Sequence, residues 1–202
     1  MQTDLFLERP EERNLLPSDG IINDLGLVLS KAEADALFSW LDTNINWRAD
    51  TALINGRILE TKRKVAWYSD CASHYTHSGI LRQALAWDID ALDSIRTKVE
   101  HLTETTFNSC VLNRYEDGAQ GMGWHSDSEA KGDHCVIASL SLGGTRKFSF
   151  KHKRSGYRHE MSLCNGQLII MRGDTQQHWL HALMKTSNYV APRISLTFRQ
   201  FK

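Results

Sequence analysis

No apolar run in this chain approaches the ~20 residues that a membrane-spanning helix needs. The opening residues MQTDLFLERPEER also lack the basic start and apolar stretch of a secretion signal. The expectation is a soluble intracellular protein with no membrane partner, cytoplasmic, or nuclear in a eukaryote. Cysteine is sparse. Cys71, Cys110, Cys135 and Cys164 stand far apart with no Cys-x-x-Cys pair, which argues against a zinc or dithiol site and for reduced, mostly buried thiols. Proline is scarcer still at three residues, and Pro10 and Pro17 both fall in a polar opening stretch that reads as a loosely packed arm. There is no internal repeat and no low-complexity tract. Net charge is missing too, with 24 basic against 24 acidic side chains. That balance would argue against a polyanionic partner if charge were evenly spread, and it is not. Residues 146–159 hold six Lys or Arg and no acid, residues 57–64 hold four against one Glu, and residues 1–20 hold five acids and two arginines. Local basic stretches, rather than the total, make a footprint for phosphates.

What is present bounds one domain, or one domain with an elaborated N-terminal part: 202 residues, 41% hydrophobic. A short strand is expected near 21–29. Ser30 then opens a helix, because Glu33 completes a capping box and Ala34, Leu37, Phe38 and Leu41 recur at helical spacing up to about Asn44. Trp40 and Trp47 read as core. Asn55-Gly56 is a two-residue turn between β-like runs, which predicts a hairpin over 48–68, and residues 69–78 read as a polar, aromatic loop. A long helix over about 88–104 sets Ile89, Leu92, Ile95, Val99 and Leu102 on one stripe and leaves His101 at the surface. From Asn108 onward the pattern changes to short strands at 109–115, 134–142, 146–151, 159–163, 168–172 and 193–201. Asp117-Gly118, Gly143-Gly144, Ser155-Gly156, Asn165-Gly166 and Gly173-Asp174 separate them. This spacing indicates an antiparallel sandwich, and one that houses a buried metal suggests a jelly roll.

His125-x-Asp127 follows a glycine-rich run, and alternation in an extended segment would set both side chains on one side. Two histidines and a carboxylate on adjacent positions of a metal suit non-haem Fe(II) oxygen chemistry. The spacing leaves the second histidine open between His178 and His181. Further on, Arg193, Ser195, Thr197 and Arg199 share one face of a strand, and Ile194, Leu196 and Phe198 share the other. Buried arginines need anions. The first face is therefore paired with protein carboxylates, or lines a polar cavity, or is an outer face in solvent.

These stretches together resemble the AlkB family of Fe(II)- and 2-oxoglutarate-dependent dioxygenases, and in particular its members close to the animal DNA-repair homologues. The resemblance runs from about Arg63 to Phe201. It rests on Asn113-Arg-Tyr115-x-Asp-Gly118, His125-x-Asp127, His178-Trp-x-His181 and Ala-Pro192-Arg193-x-Ser-x-Thr197-Phe-Arg199. It implies Fe(II) held by His125, Asp127 and His181, with O2 and 2-oxoglutarate as cosubstrates. Arg193 would take the distal carboxylate of 2-oxoglutarate, and Asn113, Tyr115, Ser195, Thr197 and Arg199 would complete that pocket. Ser195 stands where the family often carries Asn. The implied fold class is α+β, mainly β: a double-stranded β-helix (jelly roll) core over 106–202, with residues 1–105 supplying helices packed on the sheet and a β-hairpin nucleotide-recognition lid, all in one compact unit. The implied activity is oxidative demethylation of alkylated bases in DNA, 1-methyladenine and 3-methylcytosine, with formaldehyde, succinate and CO2 released. Methylated RNA as substrate, and an inactive nucleic-acid-binding module, are the alternatives. Substrate contacts are expected from Arg63, Trp67, Tyr75, His77, Glu129 and the Asn55 tip, in a monomer.

Overall fold

The computed structural model describes residues 13–54, 57–70, 74–77, 80–87, 89–127 and 136–200. In chain order the elements are β1 (Ile21–Leu27), α1 (Lys31–Asn44), β2 (Arg48–Ile54), β3 (Arg57–Ser69), β4 (His74–His77), β5 (Ile80–Gln83), β6 (Leu85–Ala86), α2 (Asp90–Thr103), β7 (Ser109–Tyr115), β8 (Met122–His125), β9 (Ile137–Gly143), β10 (Arg146–His152), β11 (Arg158–Leu163), β12 (Gln167–Arg172), α3 (Thr175–His178), β13 (Trp179–Leu183) and β14 (Arg193–Arg199). The larger sheet runs β1-β12-β9-β14-β7-β3-β2, with β6 on β3. The smaller runs β11-β10-β13-β8, and β4 pairs with β5. This is the mainly-β jelly-roll arrangement.

Strand alternation sorts the larger sheet into two buried faces. Ala138, Leu140 and Leu142 of β9, Cys110 and Leu112 of β7, and Ile194, Leu196 and Phe198 of β14 pack with Ala34 and Leu41 of α1 and Leu92, Ile95 and Val99 of α2. The helices therefore cover this face. On the other face Ile137, Ile169 and Met171 pack with Phe150, Leu163 and Trp179 from the smaller sheet. Between them these layers bury both sides of β14, whose seven residues are all buried except the half-buried Thr197.

Local chemistry explains the helices. Ser30 Oγ accepts from the Glu33 N–H, and the Glu33 carboxylate accepts from the Ser30 N–H at 2.8 Å, which is the expected capping box. Arg114, on the helix-facing side of β7, ties α1 down by pairing with Asp42. In α2 the buried stripe is Leu92, Ile95, Val99 and Thr103. Leu102 is exposed instead, because the stripe steps four residues from Val99, and the Thr103 hydroxyl is satisfied by donating to the Val99 carbonyl at 2.9 Å. His101 is at the surface as expected. Trp47 packs against the core, but Trp40 is exposed because α1 buries the face that holds Ala34 and Leu41. Cys110 is buried and Cys164 half-buried, both as free thiols; Cys71 and Cys135 lie outside the described residues.

Several strands differ from expectation. Residues 74–77, read as loop, form β4. β9 begins at Ile137, and positions 134–135 of the expected strand lie outside the described residues. β8, β13 and α3 were not anticipated, since Met-Gly-Trp-His shows no apolar alternation and Trp179–Leu183 has no turn residues bounding it. The 48–68 hairpin is present, with Ile54 opposite Arg57; its Asn55-Gly56 tip lies outside the described residues. Gly166 has φ +83° in the Asn165-Gly166 turn, a conformation that favours glycine.

Candidate metal and cosubstrate site

β8 and β13 are neighbours in the smaller sheet, and their register sets His125 opposite His181. Close approach of the chain at Gly121, just before β8, requires glycine: a Cβ there would sit 2.6 Å from the Leu183 carbonyl oxygen. The two imidazoles meet edge to face with centroids 4.2 Å apart. The ligand atoms of His125, Asp127 and His181 all lie within 4.8 Å of one another. Strand alternation does not bring Asp127 there, because β8 stops at His125. Its backbone N–H donates instead to Gln176 Oε1 at 2.8 Å. His178, the other histidine that spacing allowed, stacks on His152 and takes no part in the triad.

The ring orientation of His125 and the protonation state of His181 suit a metal. His125 Nδ1 lies 2.8 Å from the Gly123 carbonyl oxygen. A carbonyl only accepts, so Nδ1 is the donor, and in the neutral tautomer this selects, Nε2 is the nitrogen with the lone pair. Burial pushes the His181 imidazole down to about 3, the nearby His125 adding to this and Asp127 opposing it. His181 is therefore neutral near pH 7, the form that ligates metals. Asp127 is buried, and Arg199 Nη2 lies 3.5 Å from its Oδ1. Two imidazole nitrogens and one carboxylate oxygen on the wall of a cavity fit Fe(II) with open positions.

The same cavity is lined by Asn113 and Tyr115 of β7 and by Arg193, Ser195, Thr197 and Arg199 of β14. All nine residues expected to hold iron and 2-oxoglutarate are thus brought together, and the solvent-facing alternative for the arginine strand is overturned by its burial. Arg193 is 2% exposed. Its Nε donates to Ser141 Oγ at 3.0 Å, and its guanidinium sits 5.7 Å from the Tyr115 ring centre. Among the described residues no carboxylate pairs with it. Burial, with Arg146 nearby, lowers its proton affinity to about 10. A buried cation without an anion is costly. The planar fork of Arg193 fits a ligand carboxylate, which would relieve that cost.

The remaining wall is mixed. Arg63 lines the cavity and forms a buried ion pair with Asp50, a residue that sequence reasoning did not single out. Val65, Val111, Phe148, Met171 and Leu183 supply apolar surface. Trp67 does not line the cavity; it is buried, and its indole N–H donates to Ser109 Oγ at 2.6 Å. The Tyr75 and His77 backbones form β4, but their side chains, with Glu129 and Asn55, lie outside the described residues.

The basic stretch 146–159 corrects the sequence reading. Arg146 is buried and donates through its Nη groups to the carbonyls of Asp117, Gly118, Gln120 and Met184. Lys147 pairs with Glu160, and Lys153 Nζ donates to Ser126 Oγ and the Gln176 carbonyl. Arg154 and Arg158 are exposed, with the Arg158 guanidinium 5.7 Å from the Trp124 ring centre. Gln176 and Ser141, which reach the ligands and Arg193, were also missed; neither residue type carries a sequence signal without its partner.

Fold and donor set together define a class: jelly-roll proteins that hold a ferrous ion on a His/carboxylate triad and leave its other positions to a cosubstrate. Residues 25–199 match the 2OG-Fe(II) oxygenase superfamily, and the chain belongs to that family, in its AlkB-like branch. It is 34% identical over 197 residues to the DNA oxidative demethylase ALKBH2 of Bos taurus, covering 91% of this chain and 70% of the relative. To the Mus musculus protein of the same name it is 32% identical over 206 residues, covering 96% and 85%. Among solved structures, OsALKBH1 superposes with a TM-score of 0.63 at 12% identity, over 92% of this chain and 98% of that one. A Pseudomonas putida prolyl-4-hydroxylase gives 0.55 at 16% identity, over 90% and 93%. At such identities the likeness is one of fold. Family membership makes the chain an Fe(II)- and 2-oxoglutarate-dependent dioxygenase, with O2 as the second cosubstrate. No helix among the described residues is long and apolar enough to cross a membrane.

Proposed function

We propose that this chain is a DNA repair dioxygenase that demethylates alkylated bases, 1-methyladenine and 3-methylcytosine, by hydroxylating the N-alkyl carbon, with release of formaldehyde, succinate and CO2. One observation carries the reading: a single cavity is lined by the His125, Asp127, His181 triad and by Arg193, a buried cation with no carboxylate partner among the described residues. The base substrate follows from the relatives named as DNA oxidative demethylases.

In this reading His125 Nε2, the Asp127 carboxylate and neutral His181 hold Fe(II). Arg193 takes the distal carboxylate of 2-oxoglutarate, and Asn113, Tyr115, Ser195, Thr197 and Arg199 complete its pocket. Iron, 2-oxoglutarate and O2 supply the oxidising chemistry when bound. The chain's own work is orientation and exclusion of water. Arg199 balances the Asp127 charge, and Val65, Val111, Phe148 and Leu183 give an apolar surface beside the ligands.

A base must leave its stack to reach this depth. The β2–β3 and β4–β5 hairpins would act as the nucleotide-recognition lid, with residues 1–105 assigned to lid and support and residues 106–202 to the core. Tyr75 and His77 are the aromatic candidates for stacking, since Trp67 is held by Ser109, and Glu129 is the candidate acceptor for a cationic base edge. Arg63 and the Asn55 tip complete the substrate set. Arg154 and Arg158 are the exposed cations for phosphates. The protein acts as a monomer, in the cytoplasm or nucleus.

The test is turnover of Fe(II)-reconstituted protein with 2-oxoglutarate and O2 on DNA and RNA oligonucleotides carrying 1-methyladenine or 3-methylcytosine, in single and double strands. Equimolar succinate and formaldehyde from DNA, abolished in Asp127→Ala, support the reading. Turnover confined to RNA moves the substrate, and none on either polymer leaves a binding module.

A further inference from the structure

Asp127 sits at the point where the sheet stops supporting the chain. β8 ends at His125, which pairs with His181 of β13. Asp127 lies two residues past the end of that strand, yet it is held within ligand distance of two imidazoles. Among the described residues, α3 and the turn after β10 both reach this stretch. Gln176 is 8% exposed, and its Oε1 accepts from the Asp127 N–H at 2.8 Å. The group facing an N–H must be the acceptor, so the amide orientation follows. Its NH2 then donates to Met171 Sδ at 3.4 Å, beneath the cavity wall. Lys153 Nζ closes the arrangement by donating to Ser126 Oγ at 3.2 Å and to the Gln176 carbonyl at 2.9 Å. The Lys153 backbone N–H is itself fixed on the His178 carbonyl at 2.8 Å. The turn that carries Gln176 leads directly into β13, which carries His181. One segment thus supplies one ligand and sets the backbone of another.

We propose that Gln176, braced by Lys153, is a positioning residue that pre-sets Asp127 for metal binding. The proposal rests on the reading that the triad holds a metal ion. In metal sites generally, outer partners fix ligand orientation, and their loss weakens binding by about 10- to 100-fold. Gln176 acts through the main chain of its ligand, so it constrains where the carboxylate starts from rather than its charge.

The experiment is Mn(II) titration of the metal-free full chain by calorimetry, without 2-oxoglutarate, together with hydrogen exchange at the Asp127 amide. Gln176→Ala is expected to weaken Mn(II) by about 10- to 100-fold and to speed exchange at that amide. Gln176→Glu keeps an acceptor opposite the N–H and is expected to restore both. A role confined to general stability would lower the unfolding temperature of both variants without separating them in Mn(II) affinity. Should Gln176→Ala fail to fold, Lys153→Met carries the test, with a threefold or greater loss of Mn(II) affinity expected. A parent chain that binds no Mn(II) would overturn the metal reading itself. A parent that binds, with Gln176→Ala or Lys153→Met within twofold of it, would overturn the positioning role alone.

Discussion

Arg193 and Ser141 are joined by a 3.0 Å hydrogen bond from Nε to Oγ between the adjacent strands β14 and β9. The bond occupies one edge of the guanidinium and fixes its plane. The Nη edge is left for a ligand, since no carboxylate among the described residues answers it. Replacing Arg193 by Gln removes the charge and keeps a polar group. The expected outcome is a rise of about 10- to 100-fold in the 2-oxoglutarate dissociation constant, the worth of one charge-assisted contact. Affinity for a methylated oligonucleotide should change little. Both are measurable on the same protein by calorimetry and anisotropy, and a larger loss for the oligonucleotide would contradict the assignment.

Arg146 stands in the most basic stretch of the chain and is nonetheless a structural side chain, holding four main-chain carbonyls together from within. Arg146→Met leaves those carbonyls short of donors in a buried place. Urea denaturation should show a loss of about 3–5 kcal/mol. The salt dependence of DNA binding should be unaltered.

Arg154 is exposed on the turn between β10 and β11, where Lys153 is engaged with Ser126 and Gln176. If Arg154 meets a phosphate, Arg154→Ala should weaken all sequences alike and reduce the slope of log K against log salt by about 1. An unchanged slope would remove this turn from the DNA surface.

The buried His181 makes the metal-free protein sensitive to acid. Its imidazole falls from an ordinary 6.5 to about 3 in the folded chain, first through burial and then through His125. Between those values the unfolded chain binds more protons than the folded one. Stability from this group is therefore present in full above about pH 6.5, is lost as pH falls toward 3, and changes no further below that. His181→Gln should flatten the decline between pH 6.5 and 4 in chemical denaturation of the metal-free protein, and parallel curves would refute it.

Part of the candidate site is legible from spacing alone, while the choice of His181 and the 2-oxoglutarate roles came from the resemblance to the AlkB family. The odd residues of 193–199 are two arginines and two hydroxyls, and period two set them on one face without any knowledge of the fold. The capping box at Ser30 and Glu33 is equally local. What escaped notice depends on tertiary partners. The strand β8 owes its pairing to β13 rather than to any pattern in Met-Gly-Trp-His. Arg146 looked like a cation for solvent because charge in a sequence does not show which carbonyls will surround it. Asp50 became visible only once β2 and β3 paired and set it against Arg63. Leu102 lost its expected place in the core because the buried stripe steps from Val99 to Thr103.

The supports of His125 and Asp127 differ in how they can be lost. His125 is oriented by the carbonyl of Gly123, a main-chain atom that every amino acid possesses. No point mutation at a partner can delete that acceptor. The Asp127 main chain is held by a side chain, so a single codon change at Gln176 removes that hydrogen bond while leaving every ligand in place. A random library of this chain screened for metal retention should therefore lose function at position 176 with all three ligands intact. No side-chain partner of His125 should emerge from the same screen as a comparable weak point.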